Sequence, residues 1–358
     1  MKRIVICLLL MISLLTACST ELHERLLVRA IGIDKSGDEW RVTALISCPE
    51  EDGREISITE TGSTVAAALE GISRNTGKKP LYSHNSLLIF GRECAAYGFS
   101  DCMDFFIRDR ESRPTVKIAV SDKTAEKLLS DGEISKRAES IDLLLTENKY
   151  NGVTLDTSII DLYNGCTGPN KCDALPVLNA SGEIYVKGAA LITNMKLSDE
   201  LDIESLKGYL VLRGKLSSCE SEILSAYCGK TVIETEKTDC VVRFIKAEPK
   251  SIFTIKIRAY GELNSISLRG KIIESVAYDE MEELYAEALM RDVMSYLGSS
   301  VCSSGTDATG FGRAIAEADE CMWRDEFVPR DDFLKSCEYR VEIDAVIDRT
   351  EAEDRPYL

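Results

Sequence analysis

The chain has 358 residues, of which 44% are hydrophobic and 29% charged, and it carries a formal net charge of −17. A chain of this length is too long for one compact core, so two or more domains are expected. The acidic balance argues against nucleic acid as a partner, because phosphates and such a surface repel. It also opposes adsorption to anionic headgroups, so membrane attachment would have to come from a covalent lipid or from protein partners.

Residues 1–17 read as a signal peptide: Lys2 and Arg3 form a basic head, and Ile4 to Leu15 is an apolar run. As a helix that run spans ~18 Å, short of the ~30 Å hydrocarbon core, which suits an export signal better than a spanning anchor. Leu15-Thr16-Ala17-Cys18 resembles a bacterial lipobox, in which the cysteine thiol is lipidated and becomes the mature N-terminus. Two acyl chains at ~0.8 kcal/mol per buried CH₂ hold a protein stably on a membrane. Residues 18–25 then form the lipidated tether, and everything beyond Cys18 is expected outside the cytoplasm.

Leu26 to Asp34 reads as a strand, KSGDE as a turn and WRVTALISC as its hairpin partner, with Trp40, Val42, Ala44, Ile46 and Cys48 on one face. CPEEDGRE reads as a loop. Ser63 or Thr64 can cap a helix that ends near Gly77. NSLLIFG is an apolar strand, ECAAYGFSDCMDFFIRD a helix broken at Gly98, and TVKIAVS another strand after Pro114. TAEKLLS, AESIDLLLTENKY and DTSIIDLYNG read as helices. This order gives a mixed α/β unit over 26–182.

The region 183–350 changes character and is open to subdivision near 225. EIYVKGAALITN is strand-rich, and DIESLKGYLVLRGKL reads as a short helix followed by a strand. From 231 to 263 the residues alternate across a hairpin joined at EPKS. YDEMEELYAEALMRDVMSYLG is a helix with acids in its first turns, as its dipole favours, and a buried stripe of Met281, Leu284, Tyr285, Ala288, Leu289 and Leu297. A last strand alternates Tyr339, Val341, Ile343 and Ala345 against Arg340, Glu342 and Asp344. Residues 351–358 are a polar tail. The fold class expected is therefore α+β (mixed α/β), a multi-domain lipoprotein with antiparallel-rich sheets and packed helices.

Catalytic and metal chemistry find little support. Of 13 cysteines, Cys7 lies in the signal and Cys18 is the lipid site. The odd number left leaves disulfides and free thiols both open, with buried free thiols the favoured reading. The only histidines are His23, in the tether, and His84, read as a capped or core histidine. Neither G-x-S-x-G nor H-E-x-x-H occurs, and no metal ligand set or cofactor motif stands out. The run Gly305 to Gly312 invites a phosphate-loop reading, but Arg313-Ala314 stand where Lys-Ser/Thr is required. Asp307, Gly310 and Gly312 are therefore assigned to a structural turn.

Several segments in order resemble the Ger(x)C family, the C-subunit lipoproteins of bacterial spore nutrient-germinant receptors. They are the lipobox at Cys18; RAIGIDKSGDEWRVTALI (29–46); Tyr82 and His84 ahead of NSLLIFG; DFFIRDRESRPTVKIAVS (104–121); KGAALITNMKLSDELDIESLKGYLVLRG (187–214); and TDATGFG followed by Trp323. The family often begins Trp-Asp after the lipid cysteine, where this chain has Ser19-Thr20-Glu21. The resemblance implies a fold of several α/β domains and a non-enzymatic, lipid-anchored subunit on the outer surface of the spore inner membrane. Its partners would be a multi-spanning A subunit and a transporter-like B subunit. The segment 187–214 is a candidate partner surface, with Asp199, Glu200 and Asp202 in its polar run; core packing is the competing and favoured reading of the segment. The alternative function is a substrate-binding lipoprotein of an ABC importer, which requires two lobes of repeated βαβ units. The alternation over 231–260 argues against it. A secreted cell-wall hydrolase lacks its motifs.

Overall fold

The computed structural model describes residues 25–48, 54–108, 112–131, 136–147, 152–267 and 275–348. Cys18, His23, the signal and the polar tail lie outside them. The described residues form an α+β fold around two mixed sheets.

The first sheet has nine strands. β1 (Arg25–Ser36) and β2 (Glu39–Cys48) make the expected hairpin, and β3 (Arg54–Gly62) pairs with β2 from Trp40↔Gly62 to Cys48↔Arg54. Arg54 and Glu55, expected in a loop, thus begin an edge strand; its polar sequence REISITETG hides the alternation. β4 (Lys79–Leu81) and β5 (Leu87–Gly91) both run parallel to β1, and β6 (Lys117–Ser121) and β7 (Cys172–Leu178) continue the parallel set. β8 (Val186–Thr193) and β9 (Lys196–Leu201) close the sheet antiparallel. Parallel strands need cover on both faces, which is why LLIFG of β5 is buried throughout.

One face packs Ile31, Val42, Leu88 and Ile118 against α1 (Val65–Thr76), α2 (Arg92–Tyr97), α3 (Ser100–Arg108) and α6 (Ile159–Thr167). The opposite face packs Ala30, Leu45, Leu87 and Ile89 against α4 (Ala125–Ser130) and α5 (Arg137–Thr146), and that core runs on into the second half. Thr64 caps α1 and Gly77 ends it at φ +68°, as the sequence suggested. The expected division at 182/183 falls in the turn between the paired strands β7 and β8.

α7 (Ile203–Leu212) absorbs YLVL as helix, where the sequence reading placed a strand. Leu206, Tyr209, Leu210, Val211 and Leu212 are all buried, so α7 is apolar nearly all round and shows no amphipathic period. The second sheet runs β10 (Cys219–Ser225), β11 (Gly229–Ile245), β12 (Ile252–Ile266), β13 (Glu338–Ile347). β13 joins β12 in parallel, from Ile252↔Glu338 to Gly261↔Ile347. The crossover a parallel pair requires contains α8 (Ser275–Tyr296), α9 (Phe311–Ala318) and the short α10 (Glu320–Met322). Tyr285, Leu289 and Val293 of α8 and Phe311 of α9 are buried with Phe253, Ile255 and Ile257 of β12. The other face meets water and carries cross-strand ion pairs, Lys256–Glu342 at 2.9 Å and Arg258–Asp344 at 2.8 Å.

All eleven cysteines after Cys18 lie among the described residues and are unpaired; Cys94, Cys102, Cys166, Cys172, Cys219 and Cys228 are buried. Burial pushes the Cys166 thiol up to about 11, so it is a small apolar group at neutral pH.

Candidate functional site: the seam between the two sheets

Residues 304–313 bring the second half of the chain onto the first sheet. The helix α9 opens at Gly310, which has no side chain to satisfy the first N–H groups. Asp307 supplies the acceptor instead. Its carboxylate is 3% exposed and accepts from the N–H of Thr309 (3.1 Å), Gly310 (2.8 Å), Phe311 (3.0 Å) and Gly312 (2.5 Å). Burial pushes its pKa up and these amides pull it down, with a net rise. The amides that a phosphate would need are thus taken by the protein's own carboxylate.

The two glycines serve for different reasons. Gly310 lies at φ +122°, and a Cβ placed there would meet nothing within 4 Å, so only its backbone requires glycine. Gly312 has no room: a Cβ would lie 2.5 Å from the Pro169 carbonyl oxygen and 2.7 Å from the Phe327 ring.

This turn docks on the corner between α6 and β7. The Arg313 N–H donates to Asn170 Oδ1 at 3.0 Å, Trp323 Nε1 donates to the Pro169 carbonyl at 3.0 Å, and Lys171 Nζ donates to the Val328 carbonyl at 2.6 Å. Ser304 Oγ donates to Asp199 Oδ2 at 2.8 Å. Further along, α7 lies directly on α8: Ser205 and Ser295 share a 3.0 Å hydrogen bond, and Gly208 meets the Asp292 backbone. Pro169, Asn170, Lys171 and Ser304 carried no signal in the sequence, because their partners are far away along the chain.

Asp199, Glu200 and Asp202 do not form one patch. Asp199 and Glu200 are successive residues of β9 and so point to opposite faces. Asp199 holds Ser304; Glu200 pairs with Arg92 at 2.7 Å; Asp202 caps α7 through the Ser205 N–H at 2.8 Å. His84, expected capped or in the core, ends an exposed turn at Tyr82–His84. Among the described residues no three His, Cys, Asp or Glu side chains gather as a metal site.

In architecture this is a protein of the kind seen in the crystal structure of the GerBC protein, with a TM-score of 0.62 over 89% of this chain and 97% of that one. At 15% identity that likeness establishes the fold. Residues 19–180 match the family described as "Spore germination protein N-terminal domain", and residues 187–351 that described as "Spore germination B3/GerAC like, C-terminal". The chain belongs to the GerAC-like spore germination protein family. No curated protein matches its sequence. The two family regions meet at the β7–β8 turn, although the sheet itself continues through it.

Proposed function

We propose that this protein is the non-catalytic, lipid-anchored C-type subunit of a spore nutrient-germinant receptor. It sits on the outer surface of the spore inner membrane and works through contacts with A-type and B-type membrane subunits. The observation that carries this reading is the family match across 19–180 and 187–351, lying directly behind the lipobox at Cys18. No helix among the described residues is long and apolar enough to cross a membrane, which suits anchoring by a lipid. The ABC-importer reading needs two like lobes; the second sheet, antiparallel except for β12–β13, is unlike the first.

The seam supports a scaffold role, because Asn170, Lys171 and Trp323 fasten the two halves into a common body that partners can grip. Of the three acids, Asp199 and Asp202 are committed to internal contacts. Glu200, whose ion pair among the described residues is with the half-exposed Arg92, is the residue through which a partner surface here can be tested. Cys18→Ala in spores lacking the A and B subunits is expected to release the protein from the membrane fraction. Full retention would remove the anchor from the proposal. Loss of A and B subunits from a Glu200→Lys pull-down, with its thermal melt unchanged, would place Glu200 at the contact.

A further inference from the structure

Beside the seam lies a cavity of about 600 Å³, walled by residues 154–173, the end of α7 and β11 near Thr238. Three cations from separate stretches of the chain converge on it: Arg213, half-buried, and Lys215 and Arg313, exposed at its mouth. Among the described residues none of these three side chains makes a hydrogen bond or ion pair with the protein.

The acids around the same cavity are largely engaged. Asp156 pairs with Lys117, and Asp161 closes the capping box with Ser158. Asp173 accepts from the Ala174 N–H at 2.8 Å; burial pushes its pKa up, while that N–H and the charges of Arg213 and Lys215 pull it down, with a net rise. Lys237, also on the wall, is paired with Asp239 at 2.8 Å. Glu236 is the remaining acid, and it is exposed. Thr154 on the wall is 3% exposed, and among the described residues its hydroxyl, turned away from the cavity, has no hydrogen-bond partner. The volume lies within the range of pockets that enclose small molecules.

We propose that this cleft binds a small organic molecule bearing an oxyanion group, carboxylate or phosphate, held by Arg213 with Lys215 and Arg313 at the mouth. A guanidinium presents paired donors that match either group. In a chain of net charge −17, Arg213, Lys215 and Arg313 gather on one cavity the positive charge that a bound anion requires. Because the wall is built from both sheets, an occupant would also brace the seam.

The test is titration of the full chain, purified in a neutral detergent at low salt, with succinate and separately with inorganic phosphate, followed by calorimetry; glycerol serves as the neutral control. Saturable binding of one probe or both is expected, and the preferred probe tells carboxylate from phosphate as the group recognised. Arg213→Met should weaken binding about tenfold, as expected for a lost charge-assisted contact. The double variant Lys215→Ala/Arg313→Ala, on exposed side chains, should weaken it severalfold and carries the test if Arg213→Met fails to fold. Lys256→Ala on the far sheet face should change nothing. Absence of saturable binding overturns the proposal. So does equal weakening by Lys256→Ala, which would mean diffuse charge attraction. A destabilised Arg213→Met with unaltered anion affinity would also overturn it, leaving Arg213 as a cation that serves only the C-terminus of α7.

Discussion

Gly208→Ala tests whether the two halves are held by helix-to-helix contact. Alanine is the better helix former, by about 1 kcal/mol in an exposed helix interior, so local propensity alone favours the substitution. The structure opposes it. A Cβ at Gly208 would collide with the Asp292 carbonyl oxygen and lie 2.5 Å from its carbon and 2.9 Å from the Val293 nitrogen. All three are backbone atoms of α8 and cannot rotate aside, so α7 would have to withdraw as a unit. That withdrawal would strain the Tyr209–Tyr296 ring contact at 5.7 Å and the Ser205–Ser295 hydrogen bond at 3.0 Å. Overpacking of this kind costs about 3 kcal/mol at its upper end, leaving a net loss of about 2 kcal/mol after the propensity gain. At roughly 2 °C per kcal/mol for a chain of this size, the melting temperature should fall by about 4 °C. Circular dichroism at 222 nm on the full chain measures it. Gly298→Ala, exposed in the helical turn after α8 with nothing within 4 Å, is the control and should lose no stability. A Gly208→Ala protein as stable as wild type, or more so, would refute the close approach of α7 to α8.

Asp307→Ala strips four buried amides of their acceptor and should cost about 3 kcal/mol; Asp307→Asn, which keeps one oxygen, should cost less, and equal melts for both would contradict the capping role. Gly310→Val forces a β-branched residue to φ +122° and should destabilise by about 1–3 kcal/mol, read as a lower denaturant midpoint; a wild-type midpoint with failed germination would instead assign the turn to a ligand. Burial pushes the Asp292 carboxyl up to about 6, with Lys207 partly opposing. A raised folded pKa means that the contribution of this group to stability is fully present below about pH 4 and is lost as pH rises through about 6. Asp292→Asn should therefore gain about 1 kcal/mol over wild type at pH 8, after allowance for solvent screening, and match it at pH 4; a gain that is the same at both pH values would show that charge is not its cause.

Much of the fold was legible in local pattern. The β1–β2 hairpin, the Thr64 and Gly77 helix ends, the break at Gly98 and the alternation through β11, β12 and β13 all follow from periods of two and 3.6 and from glycine geometry. The readings that failed did so where local pattern and tertiary setting diverge. The strand assigned to YLVL is part of α7, because a helix wrapped by β8, β11 and α8 has no polar face to mark its period. β3 was missed because an edge strand with a polar face needs only its partner's hydrogen bonds.

The acids show the same divide. In the sequence they read mainly as a solvated face, yet Asp34, Glu55 and Asp307 are 6%, 4% and 3% exposed. Each accepts from backbone N–H groups at the start of a helix: Asp34 from Ala125 and Glu126, Glu55 from Ala138, Asp307 from Gly310 to Gly312. For Asp34 and Glu55 the helix is more than 80 residues away.

By itself the sequence determined the α+β class, the helices and strands with a clear period, and the family. These depend on neighbours within a turn or two, where spacing along the chain is spacing in space. Only the tertiary structure decided that β8 and β9 complete the first sheet, that α7 lies backbone-to-backbone on α8, and that Arg213, Lys215 and Arg313 share one cavity. Such juxtapositions join residues tens to hundreds of positions apart, and they are fixed by which faces must be buried together rather than by any local preference.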